Sequence, residues 1–113
     1  MTENLLSSLN FCVIDLETTG GHHKRDKIIE IGLAKISNLE IKETMNLLVN
    51  PEIPIPDFIQ NLTSIGPSDV ADQPTIDGWK NSLFSLTSPL VPREKITGTL
   101  CSLAISQALM VVA

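Results

Sequence analysis

Tyrosine is missing from this 113-residue chain, histidine is confined to the adjacent pair His22-His23, and no aspartate follows Asp77. The only acid beyond that point is Glu94. Tyr, His and Asp are among the usual general acids and bases, so the stretch after Asp77 offers almost nothing for proton transfer. Cysteine is scarce as well. Cys12 and Cys101 have no ligand-like spacing, which excludes a thiolate metal cage and a disulfide framework. They read as free thiols in a reducing compartment, the cytoplasm. Basic residues are in deficit too: eight Lys and Arg against thirteen Asp and Glu leave a net charge of −5. That excludes a protein that coats nucleic acid electrostatically. It leaves room for an enzyme that handles nucleic acid through bound cations, because metals reverse the local sign. Met1-Thr-Glu-Asn-Leu-Leu has neither a basic region nor a long apolar run, so no secretory signal is expected.

What is present suits one globular domain, with 42% hydrophobic and 19% charged residues and enough chain for a modest core. Phe11 to Asp15 is a continuous apolar run, as expected of a central strand covered on both faces. The loop Gly20-Gly-His-His-Lys-Arg-Asp26 follows. Ile28 to Ile36 is rich in β-branched residues, which favour strands. After a turn beginning at Ser37-Asn38, Glu40 to Val49 alternates, with Ile41, Met45, Leu47 and Val49 predicted on one side. Short connections predict an antiparallel meander. Asn50-Pro51, Pro54 and Pro56 then force an extended connector. Asp57 is expected to cap a helix over Phe58 to Leu62, and Pro67-Ser-Asp69 to open a turn or one-turn helix. Thr75 is expected to cap a longer helix whose stripe is Ile76, Trp79, Leu83 and Leu86. From Ile96 to Ala113 there is no charge. Its polar interruptions make that tail a poor membrane span, so it reads as a core helix or as a segment foreign to the domain. The expected division is residues 1–87 as the domain proper and 88–113 as a divergent apolar tail.

The chemistry is concentrated at the end of the first strand. Strand side chains alternate, so Asp15 and Glu17 project from one face. Two neighbouring carboxylates raise each other's pKa unless a cation sits between them. An oxygen-loving ion, Mg²⁺ or Mn²⁺, resolves that conflict. The plain alternative is a strand-end Asp that caps a turn beside a solvated Glu. Thr18 and Thr19, by themselves, are best read as turn residues with local side-chain bonds. His22-His23 with Lys24 and Arg25 reads as a solvated surface, and Trp79 as a core anchor.

Asp15-Leu-Glu17-Thr-Thr-Gly20 followed by Lys27-Ile-Ile-Glu30-Ile-Gly32-Leu-Ala-Lys35-Ile resembles the opening of the DEDD-type 3′-5′ exonucleases, the family of polymerase III epsilon-like proofreading subunits. Leu48-Val-Asn50-Pro51, Ile53-Pro54-Ile-Pro56, Leu62-Thr63-Ser-Ile65 and Asp69-Val-Ala-Asp72-Gln-Pro74 continue the resemblance, which fades after Pro74. It implies an α/β, ribonuclease-H-like fold, here truncated, with a three-stranded antiparallel meander followed by helices. In that fold later strands pair parallel to the first, so Phe11 to Asp15 is expected to be left as an open edge. The resemblance also implies two-metal phosphodiester hydrolysis at a nucleic-acid 3′ end, DNA or RNA. Asp15 and Glu17 would be the catalytic metal ligands, with Mg²⁺ or Mn²⁺ as cofactor. Thr18, Thr19, Leu62 and Thr63 would face the terminal nucleotide, although relatives often carry a His where Thr63 stands. Glu30 matches a family glutamate of structural rather than catalytic character. A polymerase or another replication or repair protein is the partner class implied. The family's second and third motifs, an Asp on a later helix and an Asp with a His or Tyr base, have no counterpart here. An incomplete, weakly active or inactive exonuclease is therefore expected. Two rivals are a non-enzymatic interaction module built on the same half-fold and a haloacid-dehalogenase-like phosphatase with Asp15 as nucleophile. Glu17, where that phosphatase has a second Asp, and the strand that follows speak against the latter.

Overall fold

The computed structural model describes residues 10–22, 24–87 and 110–112. Three strands, β1 (Asn10–Thr18), β2 (Ile28–Ser37) and β3 (Glu40–Leu48), form the expected antiparallel meander. Helices α1 (Asp57–Thr63), α2 (Pro67–Val70) and α3 (Ile76–Thr87) follow, and β4 (Met110–Val112) returns to the sheet. The strand order is β3-β2-β1-β4. The expected open edge along Phe11 to Asp15 is thus corrected. Cys12, Val13 and Ile14 pair antiparallel with Val112, Val111 and Met110. A short apolar run reads alike as a buried strand or a piece of buried helix, which is why residues 110–112 were not separable from the helix expected over the tail. The rest of that tail, residues 88–109 and Ala113, lies outside the described residues, as does Cys101.

The two faces of the sheet are set by alternation along β1. Cys12, Ile14, Leu16 and Thr18 are buried, whereas Asp15 is exposed and Glu17 half-buried. Register carries each face across the sheet: Ile14 pairs with Leu33 and Leu16 with Ile31, and Ile31 pairs with Leu47. These residues form one core with Ile28, Val49 and Leu83, against which Ile76, Trp79 and Phe84 of α3 pack. The helical stripe is realised at Ile76, Trp79 and Leu83; the side chain of Leu86 lies outside the described residues. Thr75 caps α3 as expected, its hydroxyl accepting the Gly78 N–H at 3.3 Å. A bulge between Glu17 and Thr18 breaks the alternation of β2, so that consecutive residues Ile28 and Ile29 enter different clusters. Ile29 joins Ile55, Ile59, Ile65 and Val70 in a second cluster against which Leu48 packs.

Two local expectations are corrected. Asp57 lies in the first turn of α1 rather than at its cap, which is Pro56, and no side-chain capping bond forms there. Ile41 is 66% exposed instead of sharing the buried side of Leu47 and Val49. A register shift pairs Lys35 with Glu43 but Ile36 with Ile41, and the extra residue on β3 reverses the facing of everything before it.

Trp79 ties α3 to the sheet by a second means, its indole N–H donating to the Leu48 carbonyl at 2.9 Å. Trp79→Phe keeps an aromatic ring in the core but leaves that carbonyl unpaired. We expect a loss of about 1–2 kcal/mol in urea unfolding followed by circular dichroism. A variant as stable as the parent would show that water replaces the indole at no cost.

Candidate metal centre

Asp15 and Glu17 occupy the face of β1 opposite the main core, and register identifies their neighbours. Glu17 stands directly across from Glu30, and Asp15 across from Gly32. One strand further, Glu30 pairs with Leu48 and Gly32 with Asn46. Two rows therefore cross this face: Glu17–Glu30–Leu48 and Asp15–Gly32–Asn46. Like charges directly opposite each other on a sheet repel. The effect falls on Glu17, whose carboxyl is held above its ordinary range first by burial, then by the Asp15 charge and then by that of Glu30. Three acids thus share one surface with no cationic side chain in either row. A divalent ion against Asp15 and Glu17 would supply the missing positive charge, and carboxylate oxygens are the donors Mg²⁺ and Mn²⁺ prefer. Among the described residues no group of three or more His, Cys, Asp or Glu side chains is placed to hold an ion. To hold an ion the pair would need solvent and substrate oxygens to complete the coordination shell.

Thr18 and Thr19 lead from the site into the β1–β2 turn, and both are buried. The Thr18 hydroxyl donates to the Gly20 carbonyl at 2.6 Å. That of Thr19 donates to Asp26 Oδ1 at 2.9 Å and accepts the Lys27 N–H at 3.0 Å. Both hydroxyls are engaged within the turn, the local arrangement expected of Thr near a turn. Asp26 is its hub, since Oδ2 also accepts the His22 N–H at 2.7 Å. That bond is the chief reason its carboxyl lies below the ordinary range; burial opposes it, and the Thr19 hydroxyl and Arg25 add to the lowering. A Cβ on Gly20 would lie 2.6 Å from Asp26 Oδ2, so only glycine lets the carboxylate approach so closely. Asp26 was not singled out as a candidate in the sequence; its signal is an acid closing a loop that opens on two glycines. His22 is exposed, and His23 lies outside the described residues.

Leu62 and Thr63 are at the end of α1, whose Ile59 packs on the same side of the sheet. Ile59 of the same helix packs in the cluster that Leu48 touches, and Leu48 ends the row of Glu17 and Glu30. Leu62 is 74% exposed. The Thr63 hydroxyl donates to the Ile59 carbonyl at 2.8 Å and accepts the Ile65 N–H at 3.2 Å, closing the helix rather than pointing a free donor outward. Ser64 terminates α1 in the left-handed conformation.

Residues 12–93 match the exonuclease family RNase_T. The chain belongs to that family. A PolC-type DNA polymerase III from Caldanaerobacter subterraneus is among its relatives, 51% identical over 67 residues that make up 59% of this chain and 5% of the polymerase. The 3′-5′ exonuclease DinG of Bacillus subtilis is 37% identical over 82 residues, 72% of this chain and 9% of DinG. The chain therefore spans less than a tenth of the length of either. Among solved structures, the nuclease domain of 3′hExo, a DEDDh family member bound to rAMP, superposes with a TM-score of 0.60 at 28% identity, covering 68% of this chain and 43% of that one. Exonuclease X in complex with 5′ overhanging duplex DNA superposes with a TM-score of 0.51 at 28% identity, covering 64% and 39%. The ribonuclease-H-like exonuclease fold expected from the sequence is the fold found, and the family's exonucleases generally work with divalent metal ions. Membership of this family sets aside the haloacid-dehalogenase-like alternative.

Proposed function

We propose that this chain carries the first carboxylates of a 3′-5′ exonuclease site, with Asp15 and Glu17 as shared ligands of Mg²⁺ or Mn²⁺ and a DNA or RNA 3′ end as substrate. The observation that carries the reading is the pair of carboxylates on one sheet face, with the Glu17 carboxyl raised above its usual range by burial and by the neighbouring charges of Asp15 and Glu30. When bound, divalent ions in such sites activate the attacking water and stabilise the leaving oxygen. The chain's own residues present the two carboxylates on a paired strand, and the Thr18–Lys27 turn fixes where that strand ends. The exposed side chain of Leu62 offers apolar surface to a terminal nucleotide, with Thr18, Thr19 and Thr63 shaping the backbone around it. A polymerase or other replication or repair protein is the partner class such a site serves, and the cytoplasm suits the buried free thiol of Cys12. No helix among the described residues is long and apolar enough to cross a membrane.

Activity of the 113 residues by themselves should be poor. Beyond Asp77 the sequence has no Asp, His or Tyr, so the later metal ligands and the base are lacking. Loss of general-base help alone costs about 10²–10⁴-fold. The test is a 3′-end degradation assay on a labelled single-stranded oligonucleotide with Mn²⁺, comparing the chain with Asp15→Asn. Cleavage very slow or undetectable, with any residue of it lost in the variant, is the expected result. Brisk degradation abolished by Asp15→Asn would mean that Asp72, Asp77 or Glu94 completes the site. A non-enzymatic interaction module is the second reading, favoured by Phe58 and Leu62, exposed one helical turn apart on α1.

A further inference from the structure

The row Asp15–Gly32–Asn46 places two residues that strands disfavour directly opposite each other, on the face of the carboxylates. Gly and Asn are both depleted in strands, and a glycine inside a strand often marks a place where a ligand or another group approaches closely. Here the approach can be measured. A Cβ on Gly32 would stand 3.4 Å from Asn46 Oδ1, 3.6 Å from the Asp15 carbonyl oxygen and 3.9 Å from Asp15 Cβ. The Asn46 amide thus leans over the bare backbone of Gly32 toward Asp15. Adjacent strands lie about 4.8 Å apart, so the outer strands of the row are separated by roughly 10 Å. With no Cβ on Gly32, the space over the middle strand between amide and carboxylate is left without a side chain. A water bridging the two side chains there would hydrogen-bond at about 2.8 Å on either side.

We infer that Asn46 is a positioning residue for the ion site, holding through the gap above Gly32 one water of the shell of a cation bound by Asp15 and Glu17. The inference rests on the reading of Asp15 and Glu17 as ion ligands. Mg²⁺ and Mn²⁺ keep several waters when proteins offer only one or two carboxylates, and outer-sphere partners that orient such a shell are usually worth 10–100-fold in metal affinity. An amide suits the role because it can donate or accept as the water requires, and it adds no charge to a face that already carries three acids. Gly32 has the complementary role of leaving the path open. Ala at this position meets only ordinary contacts at 3.4 Å and beyond, so it fits the fold while filling the space the water needs.

The test is Mn²⁺ titration of the full chain, read by the electron paramagnetic resonance signal of free Mn²⁺, with melting temperature as the control on folding. Asn46→Ala and Gly32→Ala should each weaken Mn²⁺ binding about tenfold, with melting of the ion-free proteins unchanged or slightly raised. The double variant should be no weaker than either single one, since both remove the same water. Asn46→Asp, which has nearly the same shape and adds a charge facing the same shell, should bind Mn²⁺ more tightly than the parent. Parental affinity in Asn46→Ala, Gly32→Ala and Asn46→Asp, with binding still abolished by Asp15→Asn, would overturn the inference and leave the ion site standing. Parental affinity in Asp15→Asn would instead overturn the underlying assignment. If Asn46→Ala fails to fold, Gly32→Ala and Asn46→Asp decide the matter alone.

Discussion

Asp15→Asn is expected to leave the fold intact and to remove the stabilisation that Mn²⁺ or Mg²⁺ confers. The substitution is nearly isosteric at an exposed position, so it costs little packing. It deletes one of two charged ligands, and an amide oxygen does not replace a carboxylate on a hard cation. Without metal the variant should melt at the parental temperature or slightly above it. One like charge has left the neighbourhood of Glu17, whose carboxyl then falls back toward its ordinary range; cross-strand charge effects of this kind amount to about 0.2–1 kcal/mol. With metal the two proteins diverge. An ion at a hundred times its dissociation constant stabilises the parent by about 2.7 kcal/mol, and the variant should gain nothing at the same concentration. Glu17→Gln should behave alike, because the ion offsets the repulsion between both acids. The measurement is thermal unfolding of each chain over a Mn²⁺ series. Equal metal-dependent stabilisation of parent and both variants would reduce Asp15 and Glu17 to strand-end residues.

The strands and the acidic pair were legible because their signals are local. The continuous apolar run from Phe11 marks β1, and the alternation of any strand's side chains then puts Asp15 and Glu17 on one face without reference to anything distant. β2 and β3 follow from β-branched content and alternation. Ile41 was misplaced for an equally local reason that alternation does not encode. The extra residue of β3 near Lys42 reverses facing, and nothing in Glu40-Ile-Lys-Glu marks it. β4 was illegible because pairing of residues 110–112 with β1 spans nearly the whole chain, and an apolar triplet carries no period of its own. The site divides the same way. That Glu30 faces Glu17, and that Asn46 leans toward Asp15, are facts of register between strands, invisible until the pairing is known. The threonines had two readings, and their burial with both hydroxyls engaged agrees with the turn reading. The most informative omission is Asp26, whose importance comes from three partners on both sides of a loop rather than from any motif.

Asp26→Ala should destabilise the protein by roughly 2–3 kcal/mol, the range for losing hydrogen bonds to a charged acceptor. The carboxylate receives the His22 N–H at 2.7 Å and the Thr19 hydroxyl at 2.9 Å, and Thr19 is 1% exposed. Removing Asp26 therefore leaves a buried hydroxyl without its acceptor, whereas the Arg25 contact at 3.5 Å, with Arg25 75% exposed, contributes little. The pH dependence follows from the direction of the shift. Asp26 has a folded pKa below its unfolded value of about 3.9, so its contribution is complete above that value and disappears as pH falls through the folded one. The parent should thus lose this stability in acid, and Asp26→Ala should lack that component of the acid sensitivity. Gly20→Ala provides the coupled test. Its Cβ would press on Asp26 Oδ2 at 2.6 Å, so it should cost stability in the parent and much less in Asp26→Ala. Urea unfolding of the four proteins at neutral and acid pH reads all of this. Additive effects of the two substitutions would show that the turn holds its shape by its backbone bonds alone. Because the same turn ends β1 one residue past Glu17, the non-additive outcome carries a functional consequence: Asp26→Ala should also weaken Mn²⁺ binding, by loosening the strand end that presents the carboxylates.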